Sequence, residues 1–265
     1  VIYLMSPPEH FLVAYEINPW MRADQPVDRD RAVRQWDALR TALLDLGHHV
    51  HVLPSVAGLP DMVFAANGAF SVDGIVYGAR FKYAERSAEA DAHRAFYESA
   101  GGWKFVPPTQ INEGEGDFAY LPGRGLILAG HGFRTETAAH AEAQEVLGRP
   151  VVSLRLVDER FYHLDTALAV LDDQRITYYP GAFSASSQRV LAQLFPDSVL
   201  ADEADALAFG LNLVSDGHNV LVNTEATAYA DKLTAAGYHP VPVDLSELKK
   251  GGGSVKCCVA ELRAA

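Results

Sequence analysis

What this 265-residue chain has little of narrows its class first. Cysteine is nearly absent: Cys257 and Cys258 are the only two, and they are neighbours. Adjacent cysteines close only a strained ring and pin nothing distant, so no structural disulfide is expected and a reducing, cytoplasmic setting fits. Positive charge is short. With 22 Lys and Arg against 34 Asp and Glu the net charge is -12, whereas a duplex-binding surface needs clustered cations, so nucleic acid is not an expected partner. Long apolar runs are missing. The stretch from Gly125 to Gly130 falls far short of the roughly 20 residues that cross a bilayer, and no membrane partner is expected. The opening Val-Ile-Tyr-Leu-Met reads as a buried strand and lacks the basic start and long apolar core of a signal peptide. Because the chain opens on Val, a few leading residues are expected to precede it. No His or second Cys pair stands at ligand spacing near Cys257, so no metal is expected. Gly251-Gly252-Gly253 lacks the Lys-Ser/Thr of a phosphate-binding loop. No linker or low-complexity segment divides the chain, and residues 1–265 read as a single domain.

What the chain does contain is a loose repeat. Four segments, opening at Asn67, Asp117, Asp165 and Asn212, each begin with a small polar residue and continue as a hairpin pattern. Asp73-Gly74, Gly123 to Gly125, Asp172-Asp173 and Asp216-Gly217 supply the turn chemistry. The opening residues recur about every 50 positions. Each hairpin is followed by a helix-like stretch, near 84–100, 136–147, 185–195 and 224–236. A short apolar strand comes next, at 103–106, 151–154, 199–201 and 240–243. A helix near 30–46 and a strand at 49–53 begin the pattern, with residues 255–262 as the expected hairpin partner that closes the ring. Five ββαβ units sharing one core are most simply arranged as a closed ring without sheet edges. The expected class is therefore α/β, a pseudo-fivefold five-bladed propeller.

Polar residues at the head of each hairpin would point to the axis of such a ring. Beside them lie the residues able to carry chemistry. His163 and Asp165, two apart, share one face if the segment is a strand. Glu113, Glu115 and Asp117 crowd three carboxylates between glycines. Asp61, Phe64 and Asn67 fall in a segment that reads as a strand, and Asn18 lies in an early loop before Pro19. Gly251 to Gly253 deliver Cys257 into an apolar segment where, if it is extended, Cys257 and Cys258 face opposite ways. Each of these also has an ordinary reading: a core histidine, a solvated acidic turn, a turn-forming Asn, a buried thiol. A cysteine protease would use Cys and His but not several inward carboxylates. A cationic substrate would use all of them. Acids bind its N–H groups, and its charge helps to lower the thiol pKa. Guanidinium, planar and always protonated, fits.

The stretches 17–21, 59–70, 113–118, 132–135, 161–166 and 250–262 resemble those of the pentein, or guanidino-group-modifying, superfamily. The likeness is to bacterial dimethylargininase-like proteins and the related arginine dihydrolases, and Lys-Gly-Gly-Gly-Ser-Val-Lys-Cys-Cys is its most specific part. The resemblance implies the five-bladed propeller, a small-molecule substrate and no organic cofactor or metal. It also implies roles. Cys257 is the nucleophile and His163 the proton-transferring group. Glu113 and Asp165 hold the guanidinium, with Glu115 as the alternative register for Glu113. Arg134 grips the α-carboxylate. Asn18, Asp61, Phe64, Asn67 and Asp117 complete the substrate-binding set.

One departure bears on the product. Where the deiminase and dimethylargininase patterns usually carry Asp, this chain has Asn67. Asn donates as well as accepts, so Asn67 and Asn18 could keep neutral citrulline for a second hydrolysis. Arginine to ornithine, ammonia and carbon dioxide is the expected reaction. Methylarginine hydrolysis to citrulline is the alternative, and amidinotransfer or a non-catalytic binding propeller stand further off. A homodimer is compatible with the sequence.

Overall fold

The structure is a computed structural model describing residues 1–264. Its order follows the repeat. Strand β1 (Ile2–Met5), helix α1 (Arg29–Asp45) and strand β2 (His49–Val52) come first. Then follow β3 (Ala69–Val72), β4 (Ile75–Gly78), α2 (Glu89–Ala100) and β5 (Lys104–Val106). The third unit is β6 (Phe118–Leu121), β7 (Leu126–His131), α3 (Thr137–Leu147) and β8 (Val151–Arg155). The fourth is β9 (Leu168–Val170), β10 (Ile176–Tyr178), α4 (Ala185–Leu194) and β11 (Val199–Leu200), followed by a short helix α5 (Glu203–Leu207) that the repeat does not foretell. The fifth is β12 (Val214–Ser215), β13 (Asn219–Asn223), α6 (Thr227–Ala235) and β14 (His239–Val243), and β15 (Ala260–Glu261) ends the series.

These strands form five sheets of three: β15-β1-β2, β3-β4-β5, β6-β7-β8, β9-β10-β11 and β12-β13-β14. In each, the first pair is antiparallel and the second parallel. The parallel pair needs a crossover, and the helix supplies it. The last strand joins the first, with Tyr3 opposite Glu261 and Leu4 opposite Ala260, so both ends of the chain share one blade. Asp73 and Gly74 both take positive φ, 49° and 77°, as a two-residue hairpin turn requires. Inner strands are buried along their length, as β3 is, while outer strands such as β2 face solvent. Helix α1 shows why the units pack: Ala32, Gln35, Trp36, Leu39 and Leu43 form one buried stripe, and Asp28 caps its start by accepting from the Arg31 amide at 2.9 Å.

Three local expectations are corrected. The segment holding Asp61 and Asn67 is not a strand but two 3₁₀ turns, Pro60–Val63 and Ala65–Gly68. Asp165 lies in a further 3₁₀ turn, Leu164–Thr166, with His163 extended just before it. Of residues 255–262 only Ala260–Glu261 pair as a strand, so Cys257 and Cys258 sit in a tight turn, both buried. The reason is shared. These segments satisfy their backbone through local turns, such as the Phe64 amide to the Asp61 carbonyl at 2.9 Å and the Thr166 amide to the His163 carbonyl at 3.2 Å, and in the last two through distant side chains as well, instead of a ladder.

Candidate active site

The hairpin heads converge and build the site from backbone outward. Asp117 accepts from the Leu164 amide at 3.0 Å and the Thr135 amide at 3.2 Å, which ties the loop before α3 to the turn that carries His163. Thr166 Oγ1 donates to the His163 carbonyl at 2.7 Å. Asn212 Oδ1 accepts from the Ser254 and Cys257 amides at 3.0 and 3.2 Å, folding the Cys257 turn. Its Nδ2 donates to the Asp165 carbonyl at 3.1 Å and toward Cys257 Sγ at 3.2 Å.

The chemistry-bearing side chains then meet. His163 Nε2 stands 2.7 Å from Glu113 Oε2. Cys257 Sγ stands 3.3 Å from Asp165 Oδ2. Phe64 lies where Cβ atoms on Gly251 and Gly253 would be: one added at Gly253 would come 2.5 Å from Phe64 Cε1 and 2.9 Å from Cys257 Cβ. The glycine run is thus a steric requirement for bringing the thiol turn against that ring.

Four buried polar atoms of this group have no partner: Asp61 Oδ1, Asn67 Nδ2, His163 Nδ1 and Asp165 Oδ1. Buried polar groups are otherwise nearly always paired. Two carboxylate acceptors, an amide N–H2 donor and an imidazole nitrogen are thereby left for a ligand that carries both donors and an acceptor. Burial, then the charge of Asp165, pushes the Cys257 thiol well above its usual range. Burial pushes Asp165 up to about 7, against the pull of Lys256 and of hydrogen bonds from Cys257 and Asn212. Glu113 goes the other way: although burial raises it, Arg134 and His163 hold it well below the usual carboxylate range. Among the described residues no group of His, Cys, Asp and Glu is placed to hold a metal ion.

The eukaryotic N,N-dimethylarginine dimethylhydrolase family matches residues 8–264. The N(G),N(G)-dimethylarginine dimethylaminohydrolase of Mycobacterium tuberculosis (strain ATCC 25618 / H37Rv) is 53% identical over 260 residues, covering 98% of this chain and 85% of the relative. The bifunctional arginine dihydrolase/ornithine cyclodeaminase ArgZ of Synechocystis sp. (strain ATCC 27184 / PCC 6803 / Kazusa) is 36% identical over 258 residues, 96% of this chain but only 36% of the relative. The crystal structure of a variant ArgZ N-terminal domain covalently bound to a reaction intermediate superposes with a TM-score of 0.95 at 34% identity, covering 99% of this chain and 98% of that domain. The chain belongs to the dimethylarginine dimethylaminohydrolase family. Its fold is the five-bladed pentein propeller, and it is a hydrolase of C–N bonds in linear amidines.

Within this family member the remaining expected residues divide. Glu113 and Glu115 no longer compete for one role. Glu115 pairs instead with Lys256 Nζ and Arg263 Nη1, both at 2.5 Å, and accepts from the Glu261 amide at 3.0 Å. Asp117 gives one oxygen to each of the two backbone amides above. Asn18 closes its own loop. Its Oδ1 accepts from the Trp20 and Met21 amides and its Nδ2 donates to the Gly251 carbonyl at 3.1 Å. Asp61 accepts from Tyr15 at 3.0 Å. Arg134 donates to Glu113 Oε2 at 2.7 Å and to the Ile17 carbonyl at 2.8 Å, between the rings of Tyr83 and Tyr162 at 4.8 and 4.7 Å.

Sequence reasoning missed two residues. Asn212 was visible as a hairpin head but not as the organiser of the thiol turn. Arg86 was not visible at all. It looks like one charge in the solvated start of a helix, yet it is buried against Glu89 and Asn67. The one available signal for Asn212 was its register with Asn67, Asp117 and Asp165.

Proposed function

We propose that the protein hydrolyses arginine twice at the guanidinium carbon, giving ornithine, two ammonia and carbon dioxide. Cys257 attacks that carbon through sulfur, and one C–N bond breaks as His163, through its unpartnered Nδ1, protonates the departing amine. A thiouronium on Cys257 results. Water, deprotonated by the same nitrogen, adds to it and releases sulfur, leaving citrulline. Repetition on the ureido carbon expels the second ammonia as a thiocarbamate forms. Its hydrolysis gives a carbamic acid, which loses carbon dioxide. Asp165 offers Oδ1 to guanidinium N–H groups, and Glu113 keeps His163 oriented. Burial that holds the thiol protonated is offset when a cationic head arrives beside it, and holding that head against sulfur supplies much of the rate.

The observation that carries the two-step reading is the unpartnered N–H2 of Asn67, buried beside His163. A guanidinium has no acceptor to give it, whereas a ureido oxygen does. The ArgZ likeness supports the same reading. A second reading, methylarginine to citrulline and methylamine or dimethylamine, is supported by the Mycobacterium tuberculosis relative at 53% identity. Incubation with arginine, monomethylarginine and dimethylarginine, with every product identified by mass spectrometry, separates them. Citrulline as the sole end product from arginine overturns the first reading. A requirement for an added amine acceptor would indicate amidinotransfer instead.

A further inference from the structure

The propeller holds a second space that the chemistry at Cys257 does not use. A cavity of about 660 Å³ runs from Glu115, Asp165 and Lys256 to the hairpin turns at Asp172–Asp173 and Asp216–Gly217. Its volume lies within the range of roughly 300–1,000 Å³ common to small-ligand sites. Between the two ends the wall is largely apolar, with Ala119 from one blade, Leu168 and Leu171 from the next, and Leu213 and Val214 from the one after.

Charge decides what such a space accepts. Six carboxylates line it against two cations, Lys256 and Arg263, and one histidine, His218. Both cations are already paired. Lys256 Nζ donates to Glu115 at 2.5 Å and to the Val259 carbonyl at 2.8 Å. Arg263 donates to Glu115 at 2.5 Å and to Glu261 at 2.7 Å. Of the carboxylates at the outer turns, Asp172 accepts from the Gln174 and Arg175 amides and Asp216 from those of His218 and Asn219. Two carboxylates have capacity to spare. Asp165, at the inner end, is 4% exposed, and its Oδ1 has no partner, which is unusual for a buried acceptor. Asp173, at the rim, is exposed. The run from Leu168 to Asp172 that links the two ends spans at most about 13 Å, at roughly 3.3 Å per residue. A matching ligand carries a cation at each end, methylenes between them and no carboxylate.

We infer that this cavity is a binding site for a linear polyamine, with one ammonium at Asp165 and another at the Asp173 rim. Asp165 Oδ2 also stands 3.3 Å from Cys257 Sγ. An ammonium bound to Asp165 therefore competes with the guanidinium for one carboxylate, and the polyamine restrains arginine turnover. That consequence rests on the guanidinium-holding role proposed for Asp165; the binding itself does not.

The test titrates spermidine into the intact protein by calorimetry. One control is an ω-amino acid of similar chain length, which replaces one terminal ammonium by a carboxylate. A second is magnesium chloride, which any acidic surface attracts. Ala119→Phe narrows the cavity, and Asp173→Asn, at an exposed position, keeps the test open should Ala119→Phe fail to fold. The expected result is one spermidine per chain and no heat from the ω-amino acid. Affinity should fall about tenfold in Ala119→Phe, where the added ring takes up ligand space, and about threefold in Asp173→Asn, the range of an exposed ion pair. Spermidine should raise the KM for arginine with kcat unchanged, and raise it less in both variants. No binding at millimolar spermidine, equal affinity in the folded variants, or equal binding of magnesium overturns the site. Binding with no rise in KM overturns the contact at Asp165. Protein that does not consume arginine overturns the proposed function, while the calorimetry still decides the site.

Discussion

Glu113 and Glu115 are two residues apart and equally buried, yet they belong to opposite halves of the propeller axis. Glu113 faces the half that holds His163, Asp165 and Cys257, where four polar atoms lack partners. Glu115 closes the other half. There, with Lys256 and with Asp165 standing between the two halves, it lines a cavity of about 660 Å³ that reaches the hairpin turns at Asp172–Asp173 and Asp216–Gly217. Its two oxygens are taken by Lys256, Arg263 and a backbone amide, and Arg263 is tied in turn to Glu261 at 2.7 Å. One carboxylate stands in an incomplete polar set that a substrate can finish. The other stands in a finished set that joins the closing blade to its neighbour. The same residue type at nearly the same depth serves chemistry or architecture according to what is left unpaired around it.

The largest expected effect lies on the incomplete side. Cys257→Ala should lower arginine turnover by about 10⁴-fold or more while thermal unfolding stays cooperative, as for loss of a covalent nucleophile. Measurable turnover above about one per cent of wild type would break the assignment. The contrast itself is sharpened by a pair of variants. Glu113→Gln should cost roughly 10²–10⁴ in kcat, the range of lost general acid–base support. Glu115→Gln should leave kcat within about threefold but lower unfolding stability by about 2–4 kcal/mol in urea titration, because Lys256 and Arg263 lose a buried partner. If the two variants behave alike in both measurements, the division of the axis is wrong.

Asp165 should show a trade of stability for function. Its pKa is raised in the folded protein to about 7, against about 3.9 unfolded. Folded protein therefore binds this proton more tightly, and the contribution is fully present below about pH 4 and lost as pH rises through about 7. Asp165→Asn should abolish turnover yet stabilise the empty protein at pH 8 by about 1–3 kcal/mol, a gain that fades toward pH 4. A variant less stable than wild type at pH 8 would show that the carboxylate is not a burden in the empty site. The smallest expected effect concerns Cys257. Because burial raises its thiol pKa, carbamidomethylation by iodoacetamide in the absence of substrate should keep accelerating through pH 9 with no plateau near neutrality. A plateau below pH 8 would point to a preformed thiolate.

The ring was legible because its signals are local. Hairpin turns such as Asp73-Gly74 and the spacing of Asn67, Asp117, Asp165 and Asn212 repeat in one dimension. The short turns at the site were not. Leu164–Thr166 and the turn at Cys257 are held by Asp117 and Asn212 from 45 or more residues away, and nothing local announces them. The register of Glu113 against Glu115 depends on Gly114, at φ +53°, where a Cβ would meet the Ala69 carbonyl at 2.6 Å. That close approach turns the two acids apart, and it exists only once blades two and three are in place. Arg86 stayed hidden for the same reason: its acceptor Asn67 comes from another turn.

Arg134 carries one more consequence. With Glu113 at one edge, the Ile17 carbonyl at another and the rings of Tyr83 and Tyr162 close by, the protein already cradles a guanidinium, and it is one of its own. Loss of Glu113 would therefore strand a buried cation as well as unmoor the imidazole, so one carboxylate couples the soundness of the fold to the alignment of the catalyst.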